Sequence, residues 1–412
     1  MSKINTIDLF AGCGGLTEGF EQTGKYNLIS AVEWDKAPVD CLRYRLMSKW
    51  GMEDAQGRIL RFDMQRSEEL IEGWRNDEIY GSSNGLKHYV NEANGKVDII
   101  IGGPPCQAYS IAGRVRDKEG MRNDYRNYLF ESYLHIIKYF RPKVFVFENV
   151  PGLLSAKPGD GSFLIVDKIH TEFKSAGYYL LDNLKDAIVD MSEYGVPQNR
   201  KRIIIIGINN DFYSEKKAKA ILDKIYFDEL PSHQESKVTV DEAIGDLPKL
   251  YPLPEVEIHN GKRFSHTLNP DTNIFNHNPR FASKRDIEIF KLLTEDIKSG
   301  RNRYVKPAAL KKLYTEITGK ESNVHKFYVL RRDEQSNLIP AHLYKDGLRH
   351  IHPDPKQART LTVREAARLQ TFPDDFKFIS NTNLDYKMIG NAVPPKFAKK
   401  LALSISKIFF KE

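Results

Sequence analysis

Cys106 stands in GGPPCQAYS, residues 102–110, directly after VDIIIG, an apolar run rich in β-branched residues that reads as a buried strand. The chain leaves that strand through a stiff Pro-Pro turn and presents a thiol at the exit. Structural cysteines more often sit inside the core, whereas open α/β sheets bind ligands at the carboxyl ends of their strands. A thiolate there is a strong nucleophile toward carbon. Glu148 ends the strand-like VFVFENVPG, and a carboxyl beside a ring nitrogen can hydrogen-bond it and assist its protonation. Arg200 and Arg202 lie in VPQNRKRIIIIG, and arginine can hold a carbonyl oxygen or a phosphate. Together these groups meet the needs of addition to carbon 6 of a cytosine, which pushes electrons to carbon 5 and lets it take a methyl group. Each also has a plainer reading: a structural ion pair for Glu148, a solvated basic strand start for QNRKR.

The second constellation is DLFAGCGG, residues 8–15. Glycines after a first strand let the backbone approach a ligand closely. Glu33 and Trp34 fall at the end of a second strand-like run, where an acid suits a ribose hydroxyl pair and an indole can stack on adenine. Asp63 ends a third run and can accept from an adenine amino group. Solvated acids and a core tryptophan are the bland alternatives. NAD and S-adenosylmethionine both fit the pattern, but the turn lacks the G-x-G-x-x-G spacing of a pyrophosphate site, which favours a nucleoside without phosphates.

These groups need a sheet to position them. Strands are expected over INTIDLF (4–10), NLISAVEWD, RILRFDM (58–64), VDIIIGG, KVFVFENV, YLLDNLKDAIV and RKRIIIIGI. Helices are expected near 37–49 and 127–140. Their alternation predicts an α/β fold with a doubly wound, mostly parallel sheet. Residues 65–96 read as an insertion. From 211 to 358 the chain is charged and irregular; TVREAARLQ and KFAKKLALSISKIFF then read as helices.

Bulk properties agree with an ordinary globular protein: 412 residues, 41% hydrophobic and 28% charged. The net charge of +7, from 62 basic and 55 acidic residues, permits a polyanionic partner without demanding one. Three cysteines argue for a reducing compartment rather than a disulfide framework. No zinc spacing, signal peptide or membrane span is read, so no metal, no membrane and an intracellular location are expected. Cys13 and Cys41 read as packing residues.

The sequence resembles the DNA (cytosine-5) methyltransferases. The matches run in the family's order: DLFAGCGGLTEGF, EWD (33–35), FDM (62–64), GGPPCQAYS, ENV (148–150), QNRKR (198–202), ARTLTVREAARLQTFPDDF (358–376) and YKMIGNAVPP (386–395). The resemblance implies S-adenosylmethionine as methyl donor, S-adenosylhomocysteine as product, and double-stranded DNA as partner. Cys106 would be the nucleophile, Glu148 and Arg202 would hold the flipped cytosine, and Arg200 would sit near the thiol and a backbone phosphate. Phe10, Gly12, Gly15, Leu16, Glu33, Trp34, Asp63, Pro104, Leu129, Asn391 and Val393 would line the cofactor pocket, GNAVPP returning to the first glycine turn.

DNA contacts are expected from Ser110, Arg114, Arg116, Gln198, Arg331, Arg332 and Arg349, with His342 and His350 as further candidates in the middle region. Arg359, Thr362 and Glu365 would act as packing and polar anchors. Residues 1–210 and 380–412 would form the catalytic, S-adenosylmethionine-binding Rossmann-like domain, and 211–379 an inserted target-recognition domain. The lack of regulatory domains resembles the prokaryotic restriction-modification type: a cytoplasmic monomer, with any cognate endonuclease acting separately. The rival readings are an RNA cytosine methyltransferase, a catalytically silent DNA-binding module and a nicotinamide oxidoreductase.

Overall fold

The computed structural model describes residues 2–105, 129–157 and 163–409. They divide into two compact units, one of residues 1–195, 200–236 and 392–412, the other of 196–199 and 237–391. The division differs from the expected borders at 210 and 380. Residues 211–236 stay with the first unit, and the helix Thr382–Asn391 belongs to the second.

In the first unit the strands are β1 (Ile4–Leu9), β2 (Tyr26–Glu33), β3 (Ile59–Arg61), β4 (Trp74–Asp77), β5 (Gly81–Ser83), β6 (Ile99–Gly102), β7 (Val144–Asn149), β8 (Tyr178–Tyr179), β9 (Ile188–Asp190) and β10 (Lys201–Asn209). The main sheet has the order β3-β2-β1-β6-β7-β10-β8, with β9 also on β10. The first five are parallel. Their continuous Ile/Val/Phe runs fit strands covered on both faces; Ile7, Ile29, Ile100 and Phe145 are wholly buried. Each such side chain contributes about 1.5–3 kcal/mol by leaving water.

The sheet is mostly parallel, as expected, with β10 antiparallel to β7, β8 and β9. One expectation is corrected: YLLDNLKDAIV is not one strand. It holds only the end of two-residue β8, then a 3-10 turn at Leu184–Ala187, then the start of β9. Leu180, Leu181 and Leu184 bury themselves from irregular backbone, so their apolar pattern mimics a strand.

The reversal of β10 has a functional consequence. The parallel strands end at one edge of the sheet. An antiparallel strand begins at that edge, so the start of β10 lies beside the end of β7. A parallel β10 would have carried its basic start to the opposite edge.

The stretch 65–96 is structured: helix Ser67–Glu72, hairpin β4–β5 and helix Gly85–Glu92. The C-terminal helix Pro395–Phe409 packs on helix Gly15–Glu21. That contact needs glycine. A Cβ on Gly15 would collide with the carbonyl oxygen of Val393, and one on Gly19 with Ala398 and its neighbours.

The second unit holds a small sheet, β11 (Pro252–His259) with β12 (Lys262–His266), and a core of Ile289, Phe290, Leu293, Leu310, Phe327 and Ile351. Its helix Val363–Leu369 starts in a capping box between Thr362 and Glu365. Arg359 grips the Glu365 carboxylate with both terminal nitrogens, at 2.7 and 2.6 Å, and all three residues are buried, as expected of anchors.

Candidate active site

The site forms where β1, β2, β3, β6 and β7 end and β10 begins. Phe10 follows β1 with φ of 59°, which swings the chain into the glycine turn. Gly12 has φ of 57°, a left-handed conformation that favours glycine. Its N–H donates to Glu33 Oε2 at 3.0 Å, tying the turn to the tip of β2. Glu33 Oε1 accepts the N–H groups of Trp34 and Asp35, each at 2.9 Å. Burial raises the Glu33 pKa, while the N–H donors of Asp35, Gly12 and Trp34 oppose the rise. A carboxylate offers about four acceptor directions. Three are occupied, and the fourth lies on Oε2.

Trp34 is 45% exposed, so it is a platform at the strand tip and not a core aromatic. Phe62 continues from β3 by donating its N–H to the Glu33 carbonyl, and the half-buried Asp63 follows it. Leu16, Pro104, Leu129 and Val393 are buried. The Gly15–Val393 contact brings the start of the first helix against the returning C-terminal segment, within one unit. Asn391 ends helix Thr382–Asn391 as an exposed residue of the second unit.

Beneath the turn lies a group the sequence reading passed over. Asp8 is fully buried in β1, and its Oδ2 accepts from Thr17 Oγ1 at 2.6 Å. Burial, against those Thr17 bonds, lifts its pKa to about 7. The available signal was an acid between Ile7 and Leu9, both apolar and wholly buried.

The second cluster joins β6, β7 and β10. Ile204 faces Glu148 across the ladder, so Arg202, two residues earlier, is the diagonal neighbour on the same face. Arg202 Nε meets Glu148 Oε1 at 2.9 Å, and each side chain is 12% exposed. Burial lowers the Arg202 pKa while Glu148 opposes the fall. Arg200 is fully buried and donates from Nη2 to the Ala392 carbonyl at 2.9 Å. Burial lowers its pKa too, with the Arg202 charge adding to the effect and Glu148 opposing it.

Gly103 shows why the strand exit carries glycine: a Cβ there would lie 2.9 Å from Glu148 Oε2. Asn149, also missed, donates from Nδ2 to the Pro104 carbonyl at 3.2 Å and fixes the Pro-Pro turn beside Glu148. Cys106, Ser110, Arg114 and Arg116 lie outside the described residues. Cys13 and Cys41 are buried, as packing residues are.

Among the DNA-contact candidates, Gln198 is corrected. It is buried; its Nε2 donates to Leu369 O at 2.8 Å and Gln370 Oε1 at 2.5 Å, and its Oε1 accepts from Ile339 N–H at 3.1 Å. Its amide knits the second unit together. His350 is also buried, bonded to Leu338 O at 3.1 Å, and burial lowers its pKa to about 4. Arg332 and Arg349 are exposed, Arg332 pairing with Asp241 at 3.0 Å, and Arg331 is half-buried.

The family model described as C-5 cytosine-specific DNA methylase matches residues 4–71 and 75–407, and the chain belongs to that family. It is a DNA cytosine-5 methyltransferase. Curated relatives include the type II methyltransferase M.Bpa9945I of Bacillus paralicheniformis, 32% identical over 98% of each chain. Another is M1.HphI of Haemophilus parahaemolyticus, 31% identical over 98% of this chain and 87% of the other. Two solved structures share the fold. One is a prophage-encoded DNA modification methyltransferase of E. coli, 24% identical, TM-score 0.60, covering 99% of both chains. The other is the Entamoeba histolytica methyltransferase EhMeth, 15% identical, TM-score 0.55, covering 100% of both. Among the described residues, no helix is long and apolar enough to cross a membrane.

Proposed function

We propose that this enzyme methylates carbon 5 of a cytosine flipped out of duplex DNA at a specific sequence, with S-adenosylmethionine as donor. The observation that carries the reading is the Glu148–Arg202 pair held against Gly103, three residues before Cys106. Carbon 5 of a stacked base cannot reach a pocket, so the base is flipped, at a cost of a few kcal/mol. Cys106 Sγ attacks carbon 6. Glu148 holds the ring nitrogen and amino group, and Arg202 donates to the base carbonyl, so charge building on the ring meets fixed partners. Carbon 5 would take the methyl group that the donor supplies; a base then removes the carbon 5 proton, and that electron pair re-forms the 5,6 double bond as the sulfur leaves carbon 6.

The residues at the first strand tips fit the donor. Glu33 retains an acceptor direction for a ribose hydroxyl, and Trp34 is a partly exposed indole beside it. When bound, S-adenosylmethionine supplies an electrophilic methyl group. Phe10, Gly12, Asp63, Leu16, Pro104, Leu129, Asn391 and Val393 complete the proposed pocket.

The first unit carries the chemistry and the second reads DNA, Arg332 and Arg349 offering exposed guanidinium groups. Arg114, Arg116 and Ser110 meet the DNA backbone. We place the enzyme in the bacterial cytoplasm as a monomer, with any endonuclease partner separate. Transfer of labelled methyl from S-adenosylmethionine is measured on duplex DNA and on transfer RNA. Label in DNA alone supports the reading; label in RNA alone overturns it.

A further inference from the structure

A cavity of about 430 Å³ opens beside the edge strand β3, with helix Lys36–Trp50 as one wall and hairpin β4–β5 as another. None of the proposed cofactor residues lines it. The hairpin belongs to the insertion at 65–96, to which the methyl-transfer chemistry assigns nothing.

Two arginines line this space, Arg43 from the helix and Arg61 from the strand. Arg43 donates from Nε and Nη2 to the Ile59 carbonyl, at 3.1 and 2.6 Å. Arg61 donates to the carbonyls of Trp34 and Ile79, at 3.3 and 3.2 Å. Carbonyl partners orient an arginine but neutralise no charge. The lining holds one carboxylate, Asp40, and Lys36 pairs with it. Burial lowers the Arg43 pKa; Asp40 and Tyr89 oppose the fall, and the charge on Arg61 adds to it. The fold therefore sets two like charges on the lining of one cavity.

The hairpin adds donors. Ser82 Oγ accepts from Asn76 N–H at 2.9 Å and Ser83 Oγ from Gly85 N–H at 3.2 Å, which leaves each hydroxyl proton to give. The Tyr80 ring lies 5.5 Å from the Arg61 guanidinium carbon, an aromatic surface beside the charge. Arginine forks match phosphate oxygens in pairs, and the volume falls within the range of small-ligand pockets.

We propose that this cavity binds a phosphate group, borne by a free nucleotide or by a nucleic-acid backbone, between Arg43 and Arg61. The full chain is titrated calorimetrically with inorganic phosphate, with adenosine monophosphate and with a short duplex, each with and without saturating S-adenosylhomocysteine. Two variants are run beside it. Arg43→Gln removes one fork. Gln56→Glu places a carboxylate at an exposed lining position without disturbing packing.

The expected result is saturable one-to-one binding of phosphate or of adenosine monophosphate, weakened at least tenfold by both variants and untouched by S-adenosylhomocysteine. Tighter binding of the nucleotide than of phosphate identifies a free nucleotide. Equal binding, with a tenfold loss of duplex affinity in Arg43→Gln, identifies the DNA backbone. If Arg43→Gln fails to fold, Gln56→Glu decides. No saturable binding, binding unchanged in the variants, or displacement by S-adenosylhomocysteine overturns the proposal.

Discussion

Glu148 and Arg202 meet at 2.9 Å because they are diagonal neighbours on one face of the antiparallel ladder between β7 and β10. The pair is nearly enclosed, so each group fixes the other without the mobility of a surface ion pair. In the reaction we propose, a base held here would meet an acceptor and a donor already oriented, the arrangement that lowers reorganisation cost in a transition state.

Glu148→Gln preserves shape but removes the charge and the proton-transfer capacity. The rate of methyl transfer should fall by roughly 10²–10⁴-fold, with the affinity for S-adenosylhomocysteine changed less than about threefold on the same physical ground. Radiolabel transfer under single-turnover conditions and a cofactor titration check the two halves.

Gly103→Ala should lower activity through geometry alone. The new methyl would stand 2.9 Å from Glu148 Oε2 and displace it. Overpacking of this kind costs about 1–3 kcal/mol. Gly15→Ala should cost more, since the obstacle is the Val393 backbone carbonyl rather than the end of a side chain, and should also weaken cofactor binding. Thermal unfolding with and without S-adenosylhomocysteine separates the two: the ligand-induced rise in Tm should shrink in Gly15→Ala and persist in Gly103→Ala.

Asp8 makes stability depend on pH. Its folded pKa, about 7, lies above the ordinary 3.8, so the fold binds the proton more tightly than the unfolded chain does. That stabilisation is complete below pH 3.8 and is lost as pH rises through 7, for a total of about 4 kcal/mol by linkage. Asp8→Asn lacks the titration. Relative to wild type it should therefore gain stability steadily between pH 4.5 and 8 in denaturant melts; parallel profiles would show that Asp8 does not titrate there.

Burial opposes ionisation of Glu365, yet Arg359 and His352 outweigh it and hold the carboxyl below its usual range. Arg359→Met would leave that carboxylate enclosed without its arginine, with His352 and the Thr362 N–H beside it. The expected loss is about 3–5 kcal/mol, against about 1 kcal/mol for Thr362→Ala, which removes the helix cap. Chemical denaturation of both variants tests the ranking.

The parallel strands were readable because burial on both faces writes continuous apolar runs, as in VDIIIGG and KVFVFENV. The direction of β10 was not, since RKRIIIIGI reads the same whichever way it pairs. Gln198 was misread for a related reason. A polar residue in QNRKR looks like surface, but its amide partners lie at Ile339, Leu369 and Gln370, far along the chain. The place of Glu33 and Trp34 at a strand tip was legible because the apolar run of β2 stops at them.

The most direct test is bisulfite sequencing of DNA from cells expressing the wild-type chain or Cys106→Ala. The wild type should protect cytosines within one recurring sequence, and the variant should protect none. Protection that survives in Cys106→Ala, or no protected cytosine with the wild type, would contradict a cysteine-dependent methyl transfer to DNA.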